Sequence, residues 1–296
     1  MARYSRTTWR RFRLNMEKSG TPIIQSQPRQ SPSNVSDAAR ASGLNESVLQ
    51  HAKSFEFEQH AILLDIDGTL LDLAPTPAGV LVPSSLQSTL TTLWKWTSGA
   101  LALVSGRSLK DIDKVFAPLE LPAIGGHGAE IRPTVTSGKV IRRRVPLLEE
   151  RLRRQLLALA TRGVYIEDKG YSIAVHYRGA PQMGPDLHKA VANMTAQLAT
   201  GAYELLPGKF VIEVKPTGFN KGTAVLELME RPPFLGRKPV FIGDDITDEA
   251  VFAILSEVQG TGISVGRLIP GVSGMFNTPS EVRLWLDRLA QKVAER

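Results

Sequence analysis

Short apolar runs without polar alternation, separated by segments of helical spacing, constrain this chain more than any other feature. Residues 61–64, 100–104, 122–124, 239–242 and 262–265 are such runs. A strand with one face in water alternates apolar and polar residues; runs like these are buried on both faces. Between them, Leu86, Leu90, Leu93 and Trp94 recur at helical spacing after a Pro83-Ser84 start, and Ser108 with Asp111 has the form of a capping box. Val225, Leu228 and Met229 mark another helix, as do Val251, Ile254 and Leu255. Thr278, Pro279 and Glu281 open a last one, with Val282, Trp285, Leu286, Leu289 and Val293 on one face. Strands alternating with helices in this way predict an α/β fold, a doubly wound parallel sheet covered on both sides.

Residues 132–217 read differently. Strands expected over 140–144, 164–167, 172–177, 203–206 and 210–214 have mixed polarity. Two helices are expected among them, one carrying Leu148, Leu152, Leu156 and Leu159, the other over 185–198. Polar alternation predicts an antiparallel sheet with one wet face. The simplest organisation is a core built from 55–131 and 218–296 with an α+β module, 132–217, inserted between.

Residues 1–54 read as a tail and linker, and 19–37 are rich in Ser, Pro and Gln. The net charge of +7 invites a nucleic-acid reading, but seven bases and one acid fall within residues 1–34, which leaves +1 for everything else. The basic character belongs to the tail, so no nucleic-acid partner is expected. The N-terminus shares the Arg-rich, acid-poor composition of transit peptides; a disordered tail is the plainer reading. Without cysteine there is no disulfide, thiolate nucleophile or Cys-based metal site. No apolar run approaches the roughly 18 residues that span a bilayer. The expectation is a cytoplasmic monomer without a membrane partner.

Open parallel sheets bind ligands at the carboxyl ends of their strands. The first run ends in Asp65-Ile66-Asp67-Gly68-Thr69. Two acids one residue apart suit a hard divalent cation, or a nucleophile with a general acid/base; alone, they equally suit a turn whose acids cap the next element. The second run ends in Ser105-Gly106-Arg107, which offers a hydroxyl to a phosphate oxygen or makes an ordinary turn. Lys221 opens a helix, where it either neutralises a phosphate or is solvated. Gly243-Asp244-Asp245 leads to Thr247 and Asp248, three acids that repel one another unless a cation or solvent compensates.

Acid pair, serine, lysine and acid cluster in this order resemble the haloacid-dehalogenase phosphatase superfamily. That resemblance implies a Rossmann-like core in which Asp65 is the nucleophile and Asp67 the general acid/base. Thr69, Ser105 and Lys221 would hold the phosphoryl group. Mg²⁺ would be bound by Asp65, Asp67 and Asp244, with direct or indirect support from Asp245 or Asp248.

Further matches narrow it. Gly126-His127-Gly128-Ala129-Glu130, Glu167-Asp168-Lys169-Gly170, His176-Tyr177-Arg178, Gly208-Lys209 and Glu213 together look like the trehalose-6-phosphate phosphatases, from about residue 55 to the end. The inserted module would then be a cap hinged near 132–133 and 216–219, closing over a small-molecule sugar phosphate. Arg107, His127, Glu130, Lys169, Arg178, Lys209 and Glu213 are the candidate substrate contacts. The implied reaction, trehalose 6-phosphate to trehalose and phosphate, would be the last step of trehalose synthesis. Another sugar-phosphate phosphatase or a phosphomutase shares the core set; a non-catalytic sugar-phosphate binder has no need of both Asp65 and Asp67.

Overall fold

The buried runs form the centre of one sheet, as their patterning demands. A computed structural model describes residues 55–74, 79–198 and 201–294; the expected basic tail lies outside them. In chain order the core begins β1 (His60–Leu64), α1 (Ser84–Trp96), β2 (Leu101–Val104), α2 (Leu109–Phe116), β3 (Ala123–Gly125), β4 (Glu130–Arg132) and β5 (Ile141–Arg142). The inserted module holds α3 (Glu150–Leu157), β6 (Tyr165–Asp168), β7 (Ile173–His176), α4 (Gly184–Thr195), β8 (Tyr203–Gly208) and β9 (Val211–Pro216). The core resumes with α5 (Lys221–Met229), β10 (Lys238–Gly243), α6 (Glu249–Phe252), β11 (Thr261–Val265), β12 (Gly274–Phe276) and α7 (Pro279–Ala294).

The core sheet runs β12-β11-β10-β1-β2-β3-β4-β5, parallel from β12 through β3 and antiparallel beyond. Alternate residues of each strand feed two separate cores. Ile62, Leu64, Leu101 and Ile242 pack with Leu90 of α1, Ile112 of α2 and Trp285 of α7. Leu63, Val104 and Phe241 pack on the other face with Val225 of α5 and Val251 of α6. This two-sided burial is the physical reason the strands lack polar alternation. Ser108 caps α2 as its spacing predicts, accepting the Asp111 N–H at 3.1 Å.

The second sheet, β6-β7-β9-β8, is antiparallel throughout. Ile173, Val175, Ile212 and Val214 pack against Leu152 and Leu156 of α3 and Leu187 and Val191 of α4. Residues of the opposite parity, Ala174, His176, Val211 and Glu213, line a cavity toward the core.

Strands β4 and β12 were not expected, and two expected elements take another form. The strand expected over 140–144 is Ile141–Arg142, and it extends the core sheet by pairing Ile131 with Ile141. The helix around Val251 is broken: α6 ends at Phe252, and a 3₁₀ turn, Leu255–Val258, follows.

Candidate active site

The chain leaves β1 toward β2 and β3 on one side and returns at β10 on the other, so β1 and β10 flank the point where strand order reverses. Ligand crevices form there. The loop after β1 carries Asp65 and Asp67; the loop after β10 carries Asp244, Asp245 and Asp248. Gly68, at φ +88°, turns the first loop against the second, and a Cβ there would stand 2.2 Å from Asp244 Oδ2.

Lys221, the first residue of α5, reaches into the acids. Its Nζ donates to Asp65 Oδ1 at 2.7 Å and to Asp248 Oδ1 at 2.8 Å, with all three side chains buried. Asn220 fixes that helix start through a capping box, accepting the Thr223 N–H at 2.9 Å. Asp248 also accepts the Asp244 and Asp245 N–H groups at 3.0 and 3.1 Å on Oδ2. Asp248 is therefore the organiser of the second loop. Asp245 accepts the N–H of Ile246 at 2.7 Å, and Thr69 donates to Asp244 Oδ1 at 3.0 Å.

Burial pushes the Asp65 carboxyl well up, with Asp248 adding to the rise and Lys221 opposing it. Asp244 is pushed up to about 7, by burial first and Asp248 second. Burial raises Asp245 as well. Burial alone would lower Lys221, but Asp248 and Asp65 outweigh it and hold the ammonium firmly charged. One cation for several buried acids is an unbalanced set. Asp65, Asp244 and Asp248 bring oxygens within 4.8 Å of one another. Hard, all-oxygen donors short of positive charge fit a divalent cation of the Mg²⁺ type. Asp248 already accepts from Lys221 and two amides, more hydrogen bonds than Asp65 or Asp244 receives.

Asp67 lines the same cavity in a bidentate pair with Arg107, from Nε to Oδ2 and from Nη2 to Oδ1, each 2.6 Å. Ser105 Oγ accepts the Arg107 N–H at 3.2 Å, which leaves its own proton to donate.

The cap sheet supplies the roof. Buried Glu213 accepts from Ser172 Oγ at 2.7 Å and from Lys169 Nζ at 2.9 Å. His127 of the core stands 2.9 Å from the same carboxylate, and Lys169 also donates to the Gly106 carbonyl at 3.2 Å. Burial by itself would raise Glu213, but Lys169 and His127 hold it well below the usual carboxylate range. Burial lowers His127, with Glu213 opposing the shift. Arg178 lies 5.9 Å from the Phe210 ring centre and donates to the carbonyl of Ala74 in the loop after β1. Lys209 lines the same cavity.

A sequence model of the trehalose-phosphatase family matches residues 63–274. The chain belongs to that family. Its members hydrolyse phosphoric monoesters, and so the chain is a hydrolase of that class. A probable trehalose-phosphate phosphatase of Sinorhizobium fredii is 40% identical over 245 residues, 82% of this chain and 91% of that one. The trehalose-6-phosphate phosphatase of Escherichia coli is 34% identical over 244 residues, 80% of this chain and 89% of that one. In shape, the C-terminal domain of the C. albicans trehalose-6-phosphate phosphatase matches with a TM-score of 0.73 at 22% identity, covering 84% of this chain and 97% of that one. A haloacid dehalogenase-like hydrolase from B. subtilis matches with a TM-score of 0.52 at 14% identity, over 76% and 97%. These two likenesses establish the haloacid-dehalogenase fold of a trehalose-phosphatase family member.

Most of the residues expected from sequence line one cavity: Asp65, Asp67, Ser105, Arg107, His127, Lys169, Arg178, Lys209, Glu213, Lys221, Asp244 and Asp245. Three are placed elsewhere. Thr69 is fully buried behind Asp244, and Asp248 is buried beneath Lys221. Glu130 turns away to accept the Leu109 N–H at 2.9 Å, at the start of α2, and pairs with Arg142 at 3.1 Å. Glu167 and His176, quoted in the motifs but not counted among the expected contacts, also face the cavity, 2.9 Å apart. Their signal was the period-two alternation that puts Glu167 with Lys169, and His176 with Arg178. Sequence reasoning missed the apolar wall of Leu73, Ala74, Val80 and Phe210. Among the described residues, no helix is long and apolar enough to cross a membrane.

Proposed function

We propose that this chain is a Mg²⁺-dependent phosphatase that converts trehalose 6-phosphate to trehalose and phosphate through an aspartyl-phosphate on Asp65. The observation that carries the reading is Lys221 Nζ bridging Asp65 and Asp248 at the point of strand reversal, with Asp67 and polar residues of the inserted module lining the same cavity. Phosphoryl transfer asks mainly for in-line placement and charge neutralisation. A carboxylate oxygen of Asp65 attacks phosphorus as the bond to the sugar oxygen breaks, and Asp67 delivers a proton to that oxygen. Asp67 then takes a proton from the water that attacks the phosphoryl group, and the bond to Asp65 breaks. Arg107 holds Asp67 in position and must release one oxygen for each proton to pass. The Ser105 hydroxyl and Lys221 ammonium donate to the phosphoryl oxygens. Bound Mg²⁺, held by Asp65 and Asp244, supplies further positive charge for those oxygens. Asp245 caps the turn beside it, and Thr69 orients Asp244.

Lys169, Arg178, Lys209 and Glu213 are proposed to receive the sugar hydroxyls, since charged donors and acceptors discriminate hydroxyl patterns best. Phosphate release from a panel of sugar phosphates, with Mg²⁺ and with EDTA, tests this. Release from trehalose 6-phosphate alone, abolished by EDTA and by Asp65→Asn, is expected. Equal release across the panel sinks the trehalose assignment and keeps the chemistry. No release from any sugar phosphate by folded protein sinks both.

A further inference from the structure

One buried charge takes no part in that chemistry. Lys215, the penultimate residue of β9 where the cap strand returns to the core, is 1% exposed. Lysine is almost never buried to that extent unless paired, because desolvating an ammonium is expensive. Here every direction is used. Nζ pairs with Glu204 on the neighbouring strand β8, donates to the carbonyls of Pro216 and Phe219, and lies 3.9 Å from the Phe219 ring centre.

What this ammonium grips is the crossover itself. Residues 217–220 are the whole connection from β9 to α5, and Lys221 is the first residue beyond it. Binding both Pro216 and Phe219 closes the connection into a loop tied to the cap sheet. The Phe219 ring also meets Tyr171 edge-on, with centroids 6.0 Å apart, and Tyr171 belongs to the turn that carries Lys169. On the core side the crossover has no slack: a Cβ at Gly128 would stand 2.4 Å from the Asn220 carbonyl. A rotation of this short segment moves the helix start, and with it the Lys221 ammonium.

We propose that Lys215 is a positioning residue for Lys221, pinning the cap-to-core crossover so that the lysine meets Asp65 and the phosphoryl group in one fixed geometry. The inference rests on the role given to Lys221 above. A group that acts only through another lowers turnover rather than substrate affinity, and its effect vanishes once the other is compromised.

The test is a double-mutant cycle on the full chain with the sugar phosphate that the wild type hydrolyses best, with rates referred to folded protein measured by circular dichroism. Lys215→Met keeps the buried stem and removes the donors. It is expected to lower kcat about tenfold with KM within twofold, and to lower it less than twofold further in a Lys221→Arg background. If Lys215→Met does not fold, Phe219→Leu takes its place, removing the ring that meets both Lys215 and Tyr171, with the same pattern expected. An unchanged kcat, or a loss that multiplies in the Lys221→Arg background, overturns the proposal while leaving the hydrolase reading intact. Absence of turnover in the wild type is a failure of that reading instead.

Discussion

At the scale of residues, two carboxylates of this molecule respond to pH in opposite senses. Glu213 is held below the carboxylate range by Lys169 and His127 once burial has been overcome, so its folded pKa lies below its unfolded one. Its stabilisation is complete above about pH 4.3 and is lost as pH falls toward the folded value. Asp244 is pushed up to about 7 by burial and by Asp248, so without a cation it favours folding at low pH and costs stability as pH climbs from about 4 to 7. Urea titrations between pH 3 and 8 separate the two. Glu213→Gln is expected to be about 2 kcal/mol less stable at pH 7, because Lys169 loses its buried counter-charge, with the deficit shrinking in acid. Asp244→Asn is expected to be more stable than wild type near pH 7 in EDTA and equal to it near pH 4. A deficit in Glu213→Gln that does not change with pH overturns the first assignment.

The same residues mark what sequence can carry. Asp65, Lys221 and the acid cluster were legible because a strand end and a helix start announce themselves locally. The hub role of Asp248 was not, since it depends on Lys221 from 27 residues away and on two amides that a turn happens to aim at it. Glu130 reads from its motif as a sugar contact, yet β4 turns back along β3 and delivers its carboxylate to the N-terminus of α2. Local pattern cannot report a reversal of direction.

At the scale of elements, the catalytic geometry depends on two loops lying in contact. Gly68 makes that contact possible, and Gly68→Ala combines a left-handed backbone with a Cβ driven into Asp244. Roughly a hundredfold loss of phosphatase activity is expected, with a lower melting temperature; near-normal activity in the variant rules out close apposition of the loops during turnover. The parallel strands were readable from their apolar runs, and the cap strands from their alternation. The strand at Ile141–Arg142 was placed in the wrong sheet, because a two-residue strand carries no mark of its partner. The short β12, flanked by Ser273 and Asn277, offers only the apolar pair Met275-Phe276, too short a run to mark a strand, and was missed.

At the scale of the molecule, a cation held at the acid cluster, as proposed, would couple metal content to overall stability. Binding that draws on Asp65 and Asp244 displaces their protons and relieves their repulsion. At a hundredfold excess over its Kd, Mg²⁺ is expected to add about 2.7 kcal/mol, a rise of roughly 5–10 °C in Tm. EDTA should reverse the rise, and Asp244→Asn should abolish it. An equal Mg²⁺ response in that variant moves the cation site away from Asp244.

The strand order β10-β1-β2 also sets a timetable for synthesis. Asp65 leaves the ribosome early, but the strand that fills the other side of β1 begins at Lys238, after the entire cap. At roughly 5–20 residues per second, the open edge of β1 waits about 10–30 s for its partner. During that interval Asp65 has neither Lys221 nor Asp248 beside it, and a strand apolar on both faces has one backbone edge unpaired. A nascent chain stalled within the cap is therefore a species with half a sheet, no reaction centre and a ready template for aggregation.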